Sequence, residues 1–172
     1  ETLANHTLNQ IDTTQRARRT RKETGYIRQM QVFSNLPGYL LSRLPEEWKG
    51  IGQGKIAVVI GAGPSLDITL ELISNITPAP IIIATDSSLR ALKMSQVDPD
   101  FVISIDPEKT FDSCSNPDFT PGTLIVSSQA HPSWSEKWNG KIRYISGRVL
   151  FEDWLSGKGI GKTSLHAINN AG

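Results

Sequence analysis

An apolar run, Ile56-Ala57-Val58-Val59-Ile60, passes directly into Gly61-Ala62-Gly63-Pro64-Ser65-Leu66-Asp67. A short run that is apolar at every position fits a strand buried on both sides, and the residues after the glycines fit a helix. A strand joined to a helix by so tight a turn aims unpaired backbone N–H groups and the positive end of a helix dipole at one point. That point is a seat for phosphate. Glycine suits the turn because it tolerates positive φ and lets a ligand approach the backbone. Pro64 presets φ at the helix entrance, and Ser65 is placed to cap the first turn. The segment is the expected anion-binding corner of a nucleotide-utilising α/β domain.

From Lys55 onward the pattern alternates between β and α. Expected strands are Ile56–Ile60, Ile81–Ala84, Phe101–Ile105, Leu124–Val126 and a weaker Ile142–Ile145. Expected helices are Leu66 to Ile76, Ser87 to Gln96 and a closing Gly161 to Asn170. Apolar strands separated by helices predict a Rossmann-like, mainly parallel sheet with helices on both faces. Right-handed crossovers then bring the carboxyl ends of the strands to one edge, where ligands of such sheets bind. The domain is placed at 51–172, after a helical arm and linker at 1–50.

In the arm, Tyr26-Ile27, Met30, Phe33 and Leu40-Leu41 read as the apolar side of one or two short helices, broken by Pro37-Gly38. Arg16, Arg18, Arg19, Arg21 and Lys22 read as a solvated face. No aromatic residue interleaves with them, as a single-strand nucleic-acid platform would require. The chain starts without Met and ends at Asn169-Asn170-Ala171-Gly172, where an α/β repeat would bring another strand. A fragment of a longer protein is therefore expected.

Composition narrows the function further. A formal net charge of +1 gives no field that marks nucleic acid or a membrane as partner. The single cysteine, Cys114, leaves no internal disulfide framework and fits a reducing cytoplasm. No apolar run has the length of a membrane helix, and residues 1–10 lack a signal-peptide core.

Polar residues close three of the strands: Gly61 to Ser65, then Thr85-Asp86-Ser87-Ser88, then Asp106-Pro107. Asp86 is placed to accept from a ribose and Ser87 to cap the second helix, while Asp106 is placed for a metal, a sugar hydroxyl or a base. His131 follows the fourth strand and is the candidate general acid or base, because imidazole titrates near neutrality. His166 and the pair Trp134 and Trp138 read as packing. A dinucleotide dehydrogenase fits poorly, since Leu66 stands at the third glycine position of the fingerprint and Pro64 follows the second glycine. Ser156-Gly157-Lys158-Gly159-Ile160-Gly161-Lys162-Thr163 differs from a P-loop at its first position, and Phe151 to Leu155 is a poor strand to precede one. A loop leading into a helix is expected instead, with Lys158 or Lys162 near the ligand edge.

The segments Val59-Ile60-Gly61-Ala62-Gly63-Pro64-Ser65-Leu66-Asp67, Ala84-Thr85-Asp86-Ser87-Ser88-Leu89 and Pro99-Asp100-Phe101-Val102-Ile103-Ser104-Ile105-Asp106-Pro107 carry a resemblance. In order and spacing they resemble the central domain of motility accessory factor proteins, also described as 6-hydroxymethylpterin pyrophosphokinase MptE-like. The resemblance runs from Phe33 onward. It implies a Rossmann-like domain that transfers a nonulosonic acid from a cytidine-monophosphate sugar to Ser/Thr of flagellin, without a cofactor. It further implies that Gly61, Ala62, Gly63, Pro64 and Ser65 hold the phosphate or sugar, and that Asp86, Ser87 and Asp106 line the donor pocket. Archaeal members of the wider family instead transfer pyrophosphate from ATP to a pterin with magnesium, which here would fall to Asp106. A non-catalytic nucleotide or sugar module is the third possibility.

Overall fold

A computed structural model describes residues 3–73, 75–147 and 150–158. Five strands, β1 (Ala57–Ile60), β2 (Ile81–Thr85), β3 (Phe101–Ser104), β4 (Thr123–Ser127) and β5 (Lys141–Ile145), form one sheet. All neighbours are parallel, and the spatial order is β1-β2-β3-β4-β5. Between the strands run α2 (Leu66–Ile73), α3 (Leu89–Met94), α4 (Phe111–Cys114) and α5 (Ser133–Lys137). The expected α/β class, with alternating helices behind an N-terminal helical segment, is the fold observed. The closing helix expected over Gly161 to Asn170, with His166 and Lys162, lies outside the described residues.

The sheet's two faces are covered unequally. Ile60, Ala84, Val102, Leu124 and Val126 are buried on one face, in a single core with Leu70, Leu89, Leu92, Phe111 and Trp134 of the crossover helices. Phe111 stands edge-on to both Trp134 (5.4 Å) and Trp138 (6.3 Å), so the tryptophan pair is packing, as expected. On the other face Trp48, in a single 3-10 turn (Glu46–Trp48), meets Phe101 edge-on at 5.4 Å. Leu40 and Leu44 line a groove with Ile103 and Ile125 on that side.

The N-terminal arm departs most from expectation. Instead of short helices broken at Pro37-Gly38, one helix, α1 (Leu3–Leu41), runs through both. Proline here leaves the Phe33 carbonyl without its intrahelical donor, one turn before the helix ends. Gly38 serves a close approach, because a Cβ there would stand 2.6 Å from the Tyr144 ring. The helix is also turned the opposite way from the expected apolar side. Thr24, Gln31 and Asn35 are buried, whereas Tyr26 is 75% exposed and Met30 and Phe33 are about half exposed. Its first half is a solvated face, with Arg16 paired to Asp12 (2.7 Å) and Arg19 to Glu23 (2.8 Å). The helix α6 (Leu150–Gly157) rests against α1 through Phe151 and Phe33, whose centroids are 4.7 Å apart.

Candidate functional site

Polar residues face inward on α1 because the helix crosses the carboxyl edge of the sheet. Gln31 Nε2 donates to the Pro107 carbonyl (2.8 Å) beyond β3, and Asn35 Nδ2 donates to the carbonyls of Ser128 and Ala130 (both 2.9 Å) beyond β4. Such edges carry backbone carbonyls with no strand partner, and buried ones need donors. The helix thus covers the β3–β4 part of the edge. The part made by β1, β2 and β3 remains an open cleft of about 1160 Å³.

The strand ends predicted to converge do so there. Gly61, Ala62, Gly63 and Ser65 line the cleft from β1, Asp86 and Ser87 from β2, and Asp106 from β3. Pro64 sits in the same turn, exposed. The turn is closed by the Gly63 N–H on the Gly61 carbonyl and the Leu66 N–H on the Gly63 carbonyl, both 3.0 Å. Of the two reasons expected for the glycines, positive φ does not apply. Neither takes a positive φ. A Cβ on Gly61 would meet nothing within 4 Å, and one on Gly63 only the Ser65 hydroxyl at 4.0 Å. The fold therefore tolerates side chains at both positions, and their absence keeps space open over the backbone.

Ser87 does not cap a helix. After β2 the chain makes a 3-10 turn (Asp86–Ser88) before α3, and Ser87 Oγ instead donates to Asp86 Oδ1 (3.0 Å). Ser88 Oγ donates to the Thr85 carbonyl (2.7 Å). Asp86 is only 5% exposed, and Ser104 Oγ donates to its Oδ2 (3.0 Å). Asp106 Oδ1 accepts from the Glu108 amide (2.9 Å), shaping the loop after β3.

Sequence reasoning missed two cations. Lys109 lines the cleft and pairs with Asp86 Oδ1 at 3.1 Å while donating to Ser87 Oγ at 2.6 Å. Arg28 reaches the same cleft from α1. Arg28 stands outside the basic cluster that drew attention, and Lys109 becomes significant only when the loop returns it to residue 86. His131 is not among the residues lining the cleft. Its Nδ1 accepts from the Ser133 amide (3.2 Å) and lies 2.8 Å from the Ser133 hydroxyl, which ties it to the start of α5. A helix, α6, precedes Gly157 where a P-loop needs a strand, and Lys158 is likewise not among the cleft-lining residues.

Burial by itself would lower the Lys109 ammonium. The carboxylate of Asp86 outweighs it by charge and hydrogen bond, with Asp106 adding, and the group sits above the ordinary lysine value. A raised value means that the pair's contribution to stability is complete below the unfolded-chain value of about 10.4 and disappears as pH climbs through the folded one. Burial also raises Tyr144, although the Ser135 hydrogen bond opposes it, so its contribution fades in the alkaline range as well. Lys109→Met is therefore expected to lose less stability than the native chain between about pH 9 and 12, read by urea denaturation.

A five-stranded all-parallel sheet with alternating helices and an open cleft on its carboxyl edge defines an α/β domain. The family model described as 6-hydroxymethylpterin diphosphokinase MptE-like matches residues 28–171, and the chain belongs to this MptE-like family. The match begins at Arg28, where α1 reaches the cleft. No curated protein and no solved structure matches the chain. Among the described residues, no helix is long and apolar enough to cross a membrane.

Proposed function

We propose that the cleft is the donor site of a cytoplasmic, sugar-nucleotide-dependent glycosyltransferase. The supporting observation is the Gly61–Ser65 turn, whose backbone faces open space that the fold leaves unfilled. The donor is a CMP-activated nonulosonic acid, with its phosphate against the turn amides. The acceptor is a Ser/Thr hydroxyl of a protein such as flagellin. The acceptor oxygen attacks the anomeric carbon, the bond from that carbon to the phosphate oxygen breaks, CMP leaves with the electron pair, and the hydroxyl proton passes to solvent. Amides fixed in advance stabilise the charge that grows on the phosphate, and Lys109 and Arg28 add positive charge to the same cleft. This reaction needs no added cofactor.

The family's description favours a second reading, pyrophosphoryl transfer from ATP to a pterin. Magnesium in such sites is held by one or two carboxylates and the substrate's phosphates. Asp106, half-buried on the rim, fits that role, and the ion would neutralise phosphate charge. Among the described residues no group of three or more His, Cys, Asp or Glu side chains gathers into a protein-only cage.

Thermal melting with cytidine monophosphate, with ATP plus magnesium and with NAD separates these readings, because a ligand of the folded state raises its melting temperature. A preferential rise with cytidine monophosphate is expected. A magnesium-dependent rise with ATP alone moves the assignment to the second reading. Silence toward all three ligands leaves a non-catalytic module.

A further inference from the structure

We infer that Lys109 is the side chain that meets the ligand's anionic group in this cleft, and that Asp86 is its positioning residue rather than a ribose or metal ligand. This rests on reading the cleft as a phosphate site, and it changes the roles that the strand-end positions alone suggest.

An ionised carboxylate offers about four acceptor sites. Asp86 uses that capacity internally. Oδ1 accepts the Ser87 amide (2.7 Å), the Ser87 hydroxyl (3.0 Å) and the Lys109 ammonium (3.1 Å), and Oδ2 accepts the Ser104 hydroxyl (3.0 Å). A ribose hydroxyl or a cation would have to displace one of these or reach the second lone pair of Oδ2 inside a nearly inaccessible group.

Lys109 is the reverse case. Its side chain is 40% exposed and lines the cleft. An ammonium carries three donors. Asp86 and Ser87 take two of them, which leaves a third for an anion. The backbone beneath it is pinned from two directions. Trp134 Nε1 donates to the Lys109 carbonyl (2.9 Å), and Gln31 of α1 holds the Pro107 carbonyl two residues earlier. Asp86 keeps the ammonium charged and aimed, and the two pins keep its Cα from drifting. A cation so mounted recognises a phosphoryl oxygen or a carboxylate that extends beyond the glycine turn.

Inorganic diphosphate is the probe. Titration calorimetry is expected to show Lys109→Ala binding it at least about tenfold more weakly, with Lys109→Arg keeping most of the affinity. Thermal melts confirm that both variants fold. In lysine side-chain NMR, diphosphate should shift the Lys109 signal of the native protein. In Asp86→Asn the same signal should titrate at lower pH than in the native chain, since the largest opposition to burial, the Asp86 charge, is then gone. Native affinity in Lys109→Ala, or an unmoved Lys109 titration in Asp86→Asn, overturns the inference. Gly63→Val tells the two failures apart. If it abolishes binding while Lys109→Ala does not, only the assignment of Lys109 is lost. If neither matters, the phosphate reading of the turn is lost with it.

Discussion

Gly63→Val leaves the domain folded and removes its response to phosphate-bearing ligands. The usual expectation for glycine in a tight turn is the opposite, namely damage to the fold. Here φ is not positive, and a Cβ would reach only the Ser65 hydroxyl at 4.0 Å. Gly63→Ala is accordingly expected to be neutral or to stabilise by about 0.4–1 kcal/mol, through the reduced freedom of the unfolded chain. Valine adds branches that occupy the space over the turn amides. Losing two hydrogen bonds to a charged group, at about 1.5–3 kcal/mol each, weakens binding on the order of a hundredfold or more. Calorimetry with cytidine monophosphate on both variants, beside urea denaturation, checks this. Unchanged affinity in the valine variant removes the turn from the site.

Trp134→Ala is expected to destabilise the protein by about 3–5 kcal/mol, the range for removing a large buried aromatic residue. Trp134 is fully buried against Phe111 and Trp138. Its indole N–H also holds the Lys109 carbonyl. Trp134→Phe separates these contributions, because it keeps a ring and removes only the donor. It should cost less stability than alanine yet loosen Lys109, seen as weaker diphosphate binding. A small loss in the alanine variant, measured by urea denaturation, would mean that this part of the core can collapse around the hole.

The strands were legible because their residues allow little else. Ile81-Ile82-Ile83 and Phe101-Val102-Ile103 are β-branched or aromatic throughout, and turn residues bound them. Their ends then located three sides of the cleft. The helices α4 and α5 were hidden, since four or five residues show no period. Pro37-Gly38 was misleading for a physical reason: its glycine answers to Tyr144, which lies far along the chain. The same holds for Lys109, whose partner Asp86 is 23 positions earlier. Arg28, Gln31 and Asn35 follow this pattern too. Their polar character points their face of α1 toward water, but the carbonyls of the sheet edge and the burial of Val32 and Tyr39 beside them turn it inward.

The strand order has a further consequence. Open α/β sheets commonly acquire a crevice where the order of strands reverses, so that neighbouring loops part in opposite directions. Among the described residues the five strands follow in simple succession, with no such reversal. Arg28, from a helix that precedes the sheet and is fastened by amide side chains, joins the strand ends around the hollow instead. Cleaving the polypeptide just ahead of residue 42 would take Arg28 from the hollow and Tyr39 from the core together.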